Sequence, residues 1–332
     1  MPASIYSGMS KQIPVTVLTG YLGAGKTTLL NRILSEPHGK KFAVIINEFG
    51  SVGVDNDLVV GVDEEVFEMN NGCICCTVRG DLIRIISGLM RRGLDKFDGI
   101  IVETTGLADP APVAQTFFMD EDVRKATRLD AVVTVVDAKH VLQRLKDSPE
   151  AEDQIAFADI IVLNKMDLVS EDETKEVEGA IRAINPYAQV HRTTNSQIGL
   201  DKILDKGAFD LSRILAIEPE FLEGGHTHNH DSQVKSIALT AERPVIMGKF
   251  EQWISEVLAE QGPNILRSKG VLNIRNSPRR FVFQAVHMIA DSAPGNAWKD
   301  GEKQTSKLVF IGRNLDKATL QKGFEGTLES AA

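Results

Sequence analysis

Short, uniformly apolar segments recur through the first two thirds of the chain, and amphipathic stretches of helical period separate them. The apolar segments are rich in β-branched residues, which favours strands. Strands that are apolar on both faces are typical of a sheet covered on both sides, and helix-length connections make neighbouring strands parallel. The pattern predicts a doubly wound, mostly parallel α/β sheet with function at the carboxyl ends of its strands. The predicted strands are 15–19, 42–47, 100–103, 131–137 and 160–164.

The pattern changes near residue 218. Residues 218–233 contain a proline, two consecutive glycines and no apolar period, which is typical of a linker. Beyond them, a helical pattern at 248–261 and another near 315–324 are combined with strand-like runs, which predicts a smaller α+β domain. The strands predicted in that domain are 236–240, 271–274, 281–289 and 307–312.

A glycine-rich loop joins the first predicted strand to the helix that follows it. Residues 20–27 match the pattern G-x4-G-K-T in the required strand-loop-helix context. In such a loop, backbone N–H groups wrap phosphate oxygens, Lys26 reaches the β- and γ-phosphates, and the Thr27 hydroxyl ligates Mg²⁺. A tight turn that binds nothing does not need the Lys-Thr pair, so the loop predicts a nucleoside triphosphate site.

The sequence Asn-Lys-Met-Asp at 164–167 follows another predicted strand. The Asp167 carboxylate can accept hydrogen bonds from guanine N1–H and from the exocyclic amine, and adenine has no N1–H. Asn164 would bond the base edge, and Lys165 would lie along it. A four-letter match alone is weak, but its position about 140 residues beyond the phosphate loop favours guanine specificity.

Two further segments carry acidic residues suited to Mg·GTP chemistry. Glu103 ends a strand where P-loop enzymes keep an acid near Mg²⁺, directly or through water, and Gly106 can face the γ-phosphate. In the loop 47–55, Glu48 could approach Mg²⁺, polarise the attacking water or join a second metal. A solvated strand end for Glu103 and a plain surface loop around Glu48 are the alternatives.

All three cysteines of the chain, Cys73, Cys75 and Cys76, fall within four residues. An odd number in a large intracellular chain argues against disulfides. Thiolates hold Zn²⁺ or Co²⁺ well, and a shell completed by another residue or water would leave a position through which metal is handed on. Cys73 and Cys76 also form C-x-x-C, so a redox pair is the competing interpretation.

Three histidines, His226, His228 and His230, alternate along the predicted linker. An extended backbone would put them on one side. Transition-metal binding and a plain hydrated linker both remain open for this short tract.

Composition and charge narrow the class of protein. The chain has 332 residues, 42% hydrophobic and 25% charged, with a net charge of −9. An acidic chain is poorly suited to coat nucleic acid or anionic membrane. No apolar run approaches the ~18 residues of a membrane span, and the first residues lack the apolar stretch of a signal peptide. We therefore expect a cytoplasmic protein without nucleic-acid or membrane partners.

Five motifs in order carry a family resemblance: Gly-Tyr-Leu-Gly-Ala-Gly-Lys-Thr, Asn-Glu-Phe-Gly, Asn-Gly-Cys-Ile-Cys-Cys, Glu-Thr-Thr-Gly-Leu-Ala-Asp-Pro and Asn-Lys-Met-Asp. The chain resembles the CobW family of metal-chaperone GTPases, relatives of UreG and HypB, and Arg-Ser-Lys-Gly at 267–270 extends the resemblance into the C-terminal part. The resemblance implies a P-loop GTPase domain at 1–217, the linker at 218–233 and a CobW C-terminal domain at 234–332. The nucleotide and Mg²⁺ ligands assigned are Gly20, Gly23, Ala24, Gly25, Lys26, Thr27, Thr28, Gly106, Asn164, Lys165 and Asp167.

The resemblance implies delivery of a transition metal, bound by the three cysteines, to a client metalloprotein. We expect GTP and Mg²⁺ as nucleotide and cofactor, with Zn²⁺ as the first choice of metal and Co²⁺ as the second. Lys26, Glu48 and Glu103 are the catalytic candidates. A redox-responsive GTPase switch that regulates a partner through the C-terminal domain is the alternative, and a homodimer is left open.

Overall fold

The computed structural model describes residues 12–47, 66–69, 76–208, 234–299 and 301–330. Seven strands of this part form one parallel sheet, in the order β3-β2-β4-β1-β5-β6-β7. The doubly wound sheet predicted from the apolar runs is confirmed. The strands are β1 (Ile13–Thr19), β2 (Phe42–Asn47), β3 (Val66–Met69), β4 (Gly99–Glu103), β5 (Thr127–Asp137), β6 (Ile160–Asn164) and β7 (Gln189–Arg192).

Helices cover both faces of this sheet because its strands are apolar on both sides. Alternate residues enter different clusters: Val17 and Val102 pack under α2, α3, α5, α6 and α7, whereas Leu18 and Ile101 pack under α1. The helices are α1 (Lys26–Ser35), α2 (Cys76–Arg92), α3 (Ala111–Met119), α4 (Glu121–Ala126), α5 (Val141–Asp147), α6 (Pro149–Phe157) and α7 (Glu171–Ile184).

The C-terminal part forms a separate antiparallel sheet with two helices among its described residues, so the predicted α+β architecture is confirmed. One prediction there is wrong. Residues 281–289 are not one strand, because the chain turns at His287, whose φ is 51°, and a hairpin results. The sheet order is β11-β10-β9-β12-β8. The elements are β8 (Val234–Ala241), α8 (Met247–Gln261), β9 (Ile265–Asn273), β10 (Arg279–Val286), β11 (Ile289–Ala297), β12 (Ser306–Arg313) and α9 (Lys317–Gly326).

The two faces of the antiparallel sheet have different partners. One face packs against α8 and α9 around Phe250, Phe310 and Phe324. Val282 and Val309, which point to the other face, belong to the same buried cluster as residues of α3, α6 and α7. A continuous hydrophobic interface therefore joins the C-terminal sheet to the domain that contains the parallel sheet.

A buried ion cluster crosses this interface. Asp159, which lies between α6 and β6, accepts hydrogen bonds from Arg267, from Lys269 Nζ at 2.8 Å and from the Val132 backbone N–H at 2.8 Å. All three charged side chains are buried. Burial opposes ionisation of Asp159, but the charges of Arg267 and Lys269 and these hydrogen bonds outweigh it and hold its pKa below the usual value.

Replacing this carboxylate (Asp159→Asn) is expected to destabilise the protein by about 3–5 kcal/mol, because it leaves two buried cations without their counter-charge. Urea unfolding measures the loss, and Asp172→Asn, which removes an exposed partner of Lys175, should change stability little. The pKa of Asp159 is lower in the folded protein than in the unfolded chain, where it is about 3.9. The contribution of Asp159 to the free energy of unfolding is therefore complete above the unfolded-state pKa and is lost as the pH falls through the folded-state pKa. Equal unfolding midpoints for the two variants would contradict the assignment.

None of the helices in the described part of the chain combines the length and the apolar character that crossing a bilayer demands. The predicted linker 218–233 lies outside the described residues.

Candidate nucleotide and metal site

The loop between β1 and α1 has a backbone that requires glycine. Gly20, Gly23 and Gly25 have φ angles of 139°, 75° and 111°. A Cβ on Gly20 would lie 2.2 Å from the Val135 carbonyl oxygen, and one on Gly25 would lie 2.5 Å from the Asn164 side-chain nitrogen. These positions therefore keep the loop tight against the ends of β5 and β6, with its amides at the start of a helix, where an anion is favoured.

Lys26 begins α1 and folds back over the loop. Its Nζ donates to the Gly20 carbonyl at 2.8 Å and approaches the Tyr21 carbonyl at 3.4 Å. The side chain is buried, so its charge is concentrated inside the curve of the loop. Thr27 is half-buried and Thr28 is exposed, both in the first turn of α1.

Asn164 ends β6 and connects two loops. Its Nδ2 donates to the Ala24 carbonyl at 3.0 Å, and its Oδ1 accepts from the Ser196 backbone N–H at 2.8 Å and the Thr193 hydroxyl at 3.2 Å. Ser196 also donates to the Gly25 carbonyl at 3.2 Å. The contacts of Asn164 thus position the phosphate loop against residues 193–196. Its predicted bond to the base edge stays a prediction.

Lys165 has a left-handed backbone with φ 64°, and its Nζ pairs with Asp137 at 2.7 Å. His140 Nδ1 lies 2.9 Å from the same carboxylate. Although burial raises the pKa of Asp137, the hydrogen bonds from Lys165 and His140 outweigh it, so the net pKa is lowered. Asp167 is exposed in the turn that follows, where a base can reach it. Asp137 was not among the predicted site residues, although its place at the end of a predicted strand was the available signal.

Glu103 and Gly106 follow β4, beside the start of the phosphate loop. Glu103 is paired in register with Leu18 and is buried; it alternates with Val102 and so shares a face of the sheet with Ile101 and α1. A Cβ on Gly106 would lie 2.6 Å from the Leu22 backbone nitrogen. A buried carboxylate on the side of Thr27 fits a hard cation such as Mg²⁺, which prefers oxygen ligands.

A cavity of about 240 Å³ lies under Tyr21 and Gly23, between the phosphate loop and helices α5 and α6. Asp137, Lys165 and Gln154 are among its lining residues. The Arg144 guanidinium lies 5.3 Å from the centre of the Tyr21 ring, which ties α5 to the loop.

The predicted metal ligands lie largely outside the described residues. These are Cys73, Cys75 and the three linker histidines His226, His228 and His230, and the catalytic candidate Glu48 also lies outside the described residues. Of Cys76, the backbone starts α2 but the side chain is not described. The strand before the cysteines, β3, ends at Met69, level with Asn47 of β2. The described flanks therefore lie at the carboxyl edge of the sheet, where the phosphate loop also lies.

The fold, the phosphate loop and the Asn-Lys-Met-Asp motif at 164–167 together define a P-loop GTPase. The chain belongs to the CobW family: residues 14–192 match the CobW/HypB/UreG nucleotide-binding domain, and residues 234–328 match the cobalamin synthesis protein cobW C-terminal domain. The resemblance inferred from the motifs is confirmed.

Curated relatives and a solved structure extend over nearly the whole chain. The zinc chaperone YjiA of Escherichia coli is 35% identical over 95% of this chain and 98% of its own. The zinc chaperone CobW of a Sinorhizobium species is 33% identical over 93% of this chain and 96% of its own. The crystal structure of the Zn(II)-bound YjiA GTPase from E. coli matches with a TM-score of 0.78 and 30% identity, covering 96% of this chain and 100% of that one.

Proposed function

We propose that this GTPase is a metallochaperone that binds a transition metal at Cys73, Cys75 and Cys76 and transfers it to a client metalloprotein. Zinc is the first choice of metal, because two relatives are named zinc chaperones and a similar structure is described as Zn(II)-bound. Cobalt is the second choice, since thiolates also ligate it well. The protein would act in a reducing compartment such as the cytoplasm, where thiols stay free.

In this proposal the phosphate loop holds the triphosphate, and Lys26 faces the charge that develops on the β- and γ-oxygens. Thr27, and Glu103 directly or through water, would hold Mg²⁺, which would neutralise phosphate charge. Asp167 would accept the two guanine donors, and Lys165, fixed by Asp137, would lie along the base. Glu48 is the candidate for orienting the attacking water.

The packing of α2 against α3 connects the nucleotide site to the cysteine motif. Helix α3 directly follows the loop 104–110, called the Gly106 loop below, and α2, whose first residue is Cys76, packs against α3. Leu82 and Leu89 of α2 share a buried cluster with Ala114 and Phe117 of α3, and Arg79 Nη1 lies 3.2 Å from the Met119 sulfur. A movement of the Gly106 loop on γ-phosphate binding would therefore shift α3 and, with it, the start of α2.

The helix start at Cys76 also suits thiolate chemistry. The positive end of the helix dipole stabilises negative charge in the first turn. A stabilised thiolate favours metal binding at neutral pH, because the metal must otherwise displace a proton.

The coupling is tested by measuring zinc affinity in the two nucleotide states. Chelator competition is expected to show tighter zinc binding with a Mg·GTP analogue than with Mg·GDP, by roughly 5- to 150-fold if the coupling is a typical 1–3 kcal/mol. Reciprocity requires zinc to tighten the GTP analogue by the same factor. Gly106→Ala places a methyl group against the Leu22 backbone and should reduce the factor towards one.

Equal zinc affinities in protein shown to bind both nucleotides would contradict the delivery mechanism. A count of free thiols with and without zinc separates the redox alternative. Zinc should protect the thiols in a metal site, whereas a redox switch would show reversible loss of two thiols under mild oxidation with no effect of zinc.

A further inference from the structure

Helix α6 lies between the Gly106 loop and the C-terminal sheet, and its residues contact both. Gln154, which is buried, donates through Nε2 to the Gly106 carbonyl at 3.1 Å and to the Ala108 carbonyl at 3.2 Å. Leu22 of the phosphate loop lies against the same glycine. Gly106 is therefore held between the phosphate loop and α6.

The carboxyl end of α6 is fixed from outside the helix. Arg267 of β9 donates to the Phe157 carbonyl at 2.6 Å, and the same guanidinium binds Asp159. Asn185 donates to the carbonyls of Ile155 and Ala158, both at 2.9 Å. The Phe157 carbonyl is one of the last in α6, and a helix end needs outside donors for such oxygens. Because Arg267 is its donor, the C-terminal domain helps set where α6 lies.

Two further contacts tie α6 to the C-terminal domain. Arg313 at the end of β12 lies 2.7 Å from Asp153 Oδ1, at ion-pair distance although without hydrogen-bond geometry. The rings of Phe157 and His287 are 5.7 Å apart. Asp153, Gln154 and Phe157 lie within about one turn of α6. A displacement of the helix at one of these residues therefore also moves the other two.

We propose that Gln154 is a positioning residue for GTP hydrolysis, which sets the Gly106 loop, and that the C-terminal domain adjusts the hydrolysis rate through α6. The role assigned to Gln154 is indirect, because its Nε2 bonds to the Gly106 and Ala108 carbonyls. The inference goes beyond the proposed metal delivery and is independent of it, because it concerns the rate of GTP hydrolysis whether or not the cysteines carry zinc.

The first test uses two near-isosteric replacements of Gln154. Gln154→Met keeps the volume but removes the two donors, and kcat for GTP is expected to fall about tenfold while GDP affinity stays within about twofold. Gln154→Glu turns carboxylate oxygens towards two carbonyls at high pH. Its kcat relative to wild type should recover as the pH is lowered, because burial raises the pKa of such a carboxyl and the protonated form can donate again.

The matched control is Thr127→Val, which removes another buried side-chain hydrogen bond, to the Val123 carbonyl at 2.8 Å, away from the Gly106 loop. It should lower the melting temperature about as much as Gln154→Met while leaving kcat unchanged. A wild-type kcat in Gln154→Met that binds GDP normally would overturn the positioning role. If Gln154→Met does not fold, a Gln154→Glu profile parallel to that of the wild type overturns it instead.

The second test is a double-mutant cycle between the two ends of the connection. Arg313→Met is expected to change kcat in the wild-type background and to have no further effect in Gln154→Met, because its influence passes through the same helix. An Arg313→Met effect that is undiminished in the Gln154→Met background would overturn transmission through α6. Zinc affinity is measured in parallel, so failure of this inference is distinguishable from failure of metal delivery.

Discussion

Lys26→Ala is expected to abolish GTP hydrolysis, with kcat lowered by at least about 100-fold, the cost of removing one well-placed charge-stabilising donor. The Lys26 ammonium is buried in the curve of the phosphate loop and already donates to the Gly20 carbonyl. When the triphosphate binds, the same group can exchange carbonyl oxygens for β- and γ-oxygens without entering from solvent. The transition state gains more than the ground state, because charge moves onto those oxygens as the bond breaks.

Single-turnover hydrolysis measures the loss in rate, and titration with a GTP analogue measures the loss in affinity. We expect the affinity to fall by a smaller factor than the rate. Lys125→Ala is the matched control, because it removes an exposed lysine that pairs with Glu121 within α4. Hydrolysis at the wild-type rate in Lys26→Ala would contradict the assignment of the phosphate loop to the catalytic site.

The inner strands of the first domain could be predicted because strands that are buried on both faces appear in the sequence as continuous apolar runs. All five predicted runs fall within strands of the parallel sheet, among them 15–19 in β1 and 160–164 in β6. The two edge strands, β3 and β7, were missed. Strand β7 is short and half-exposed and carries no apolar run. In the C-terminal domain the apolar run 281–289 concealed a turn, because His287 adopts a left-handed backbone without a glycine to mark it.

The candidate site was predictable where a motif prescribes backbone geometry, and less so where contacts are made between distant segments. The glycines of the phosphate loop have the positive φ angles that the motif requires. Gln154 carried no signal, because one glutamine in an amphipathic helix looks like a surface residue until its contact with the Gly106 loop is known. Arg267 and Lys269 were marked only as part of a family motif, and two cations inside a strand suggest exposure. Their pairing with Asp159 of the other domain could not be predicted.

Replacing Cys73, Cys75 and Cys76 together by serine is expected to remove tight zinc binding and leave GTP affinity close to wild type. Serine hydroxyls stay protonated at neutral pH and ligate soft metals poorly, so zinc affinity should fall by more than the roughly 10- to 100-fold that follows loss of an outer-shell partner alone. The phosphate loop and residues 164–167 make their described contacts with other segments, which is why nucleotide binding should survive.

Cobalt(II) makes the same prediction visible, because thiolate ligation gives a charge-transfer absorption that hydroxyl and imidazole ligands do not. The wild type should show this band and the triple serine variant should lack it. A variant with His226, His228 and His230 replaced by glutamine is the matched control: it should keep the band, and slower loading under limiting metal would assign the histidines to metal capture. A thiolate band cannot come from any other residues of this chain, since it has 3 cysteines. Unchanged zinc affinity in the serine variant would therefore place the metal on nitrogen and oxygen ligands and remove the cysteines from the delivery mechanism.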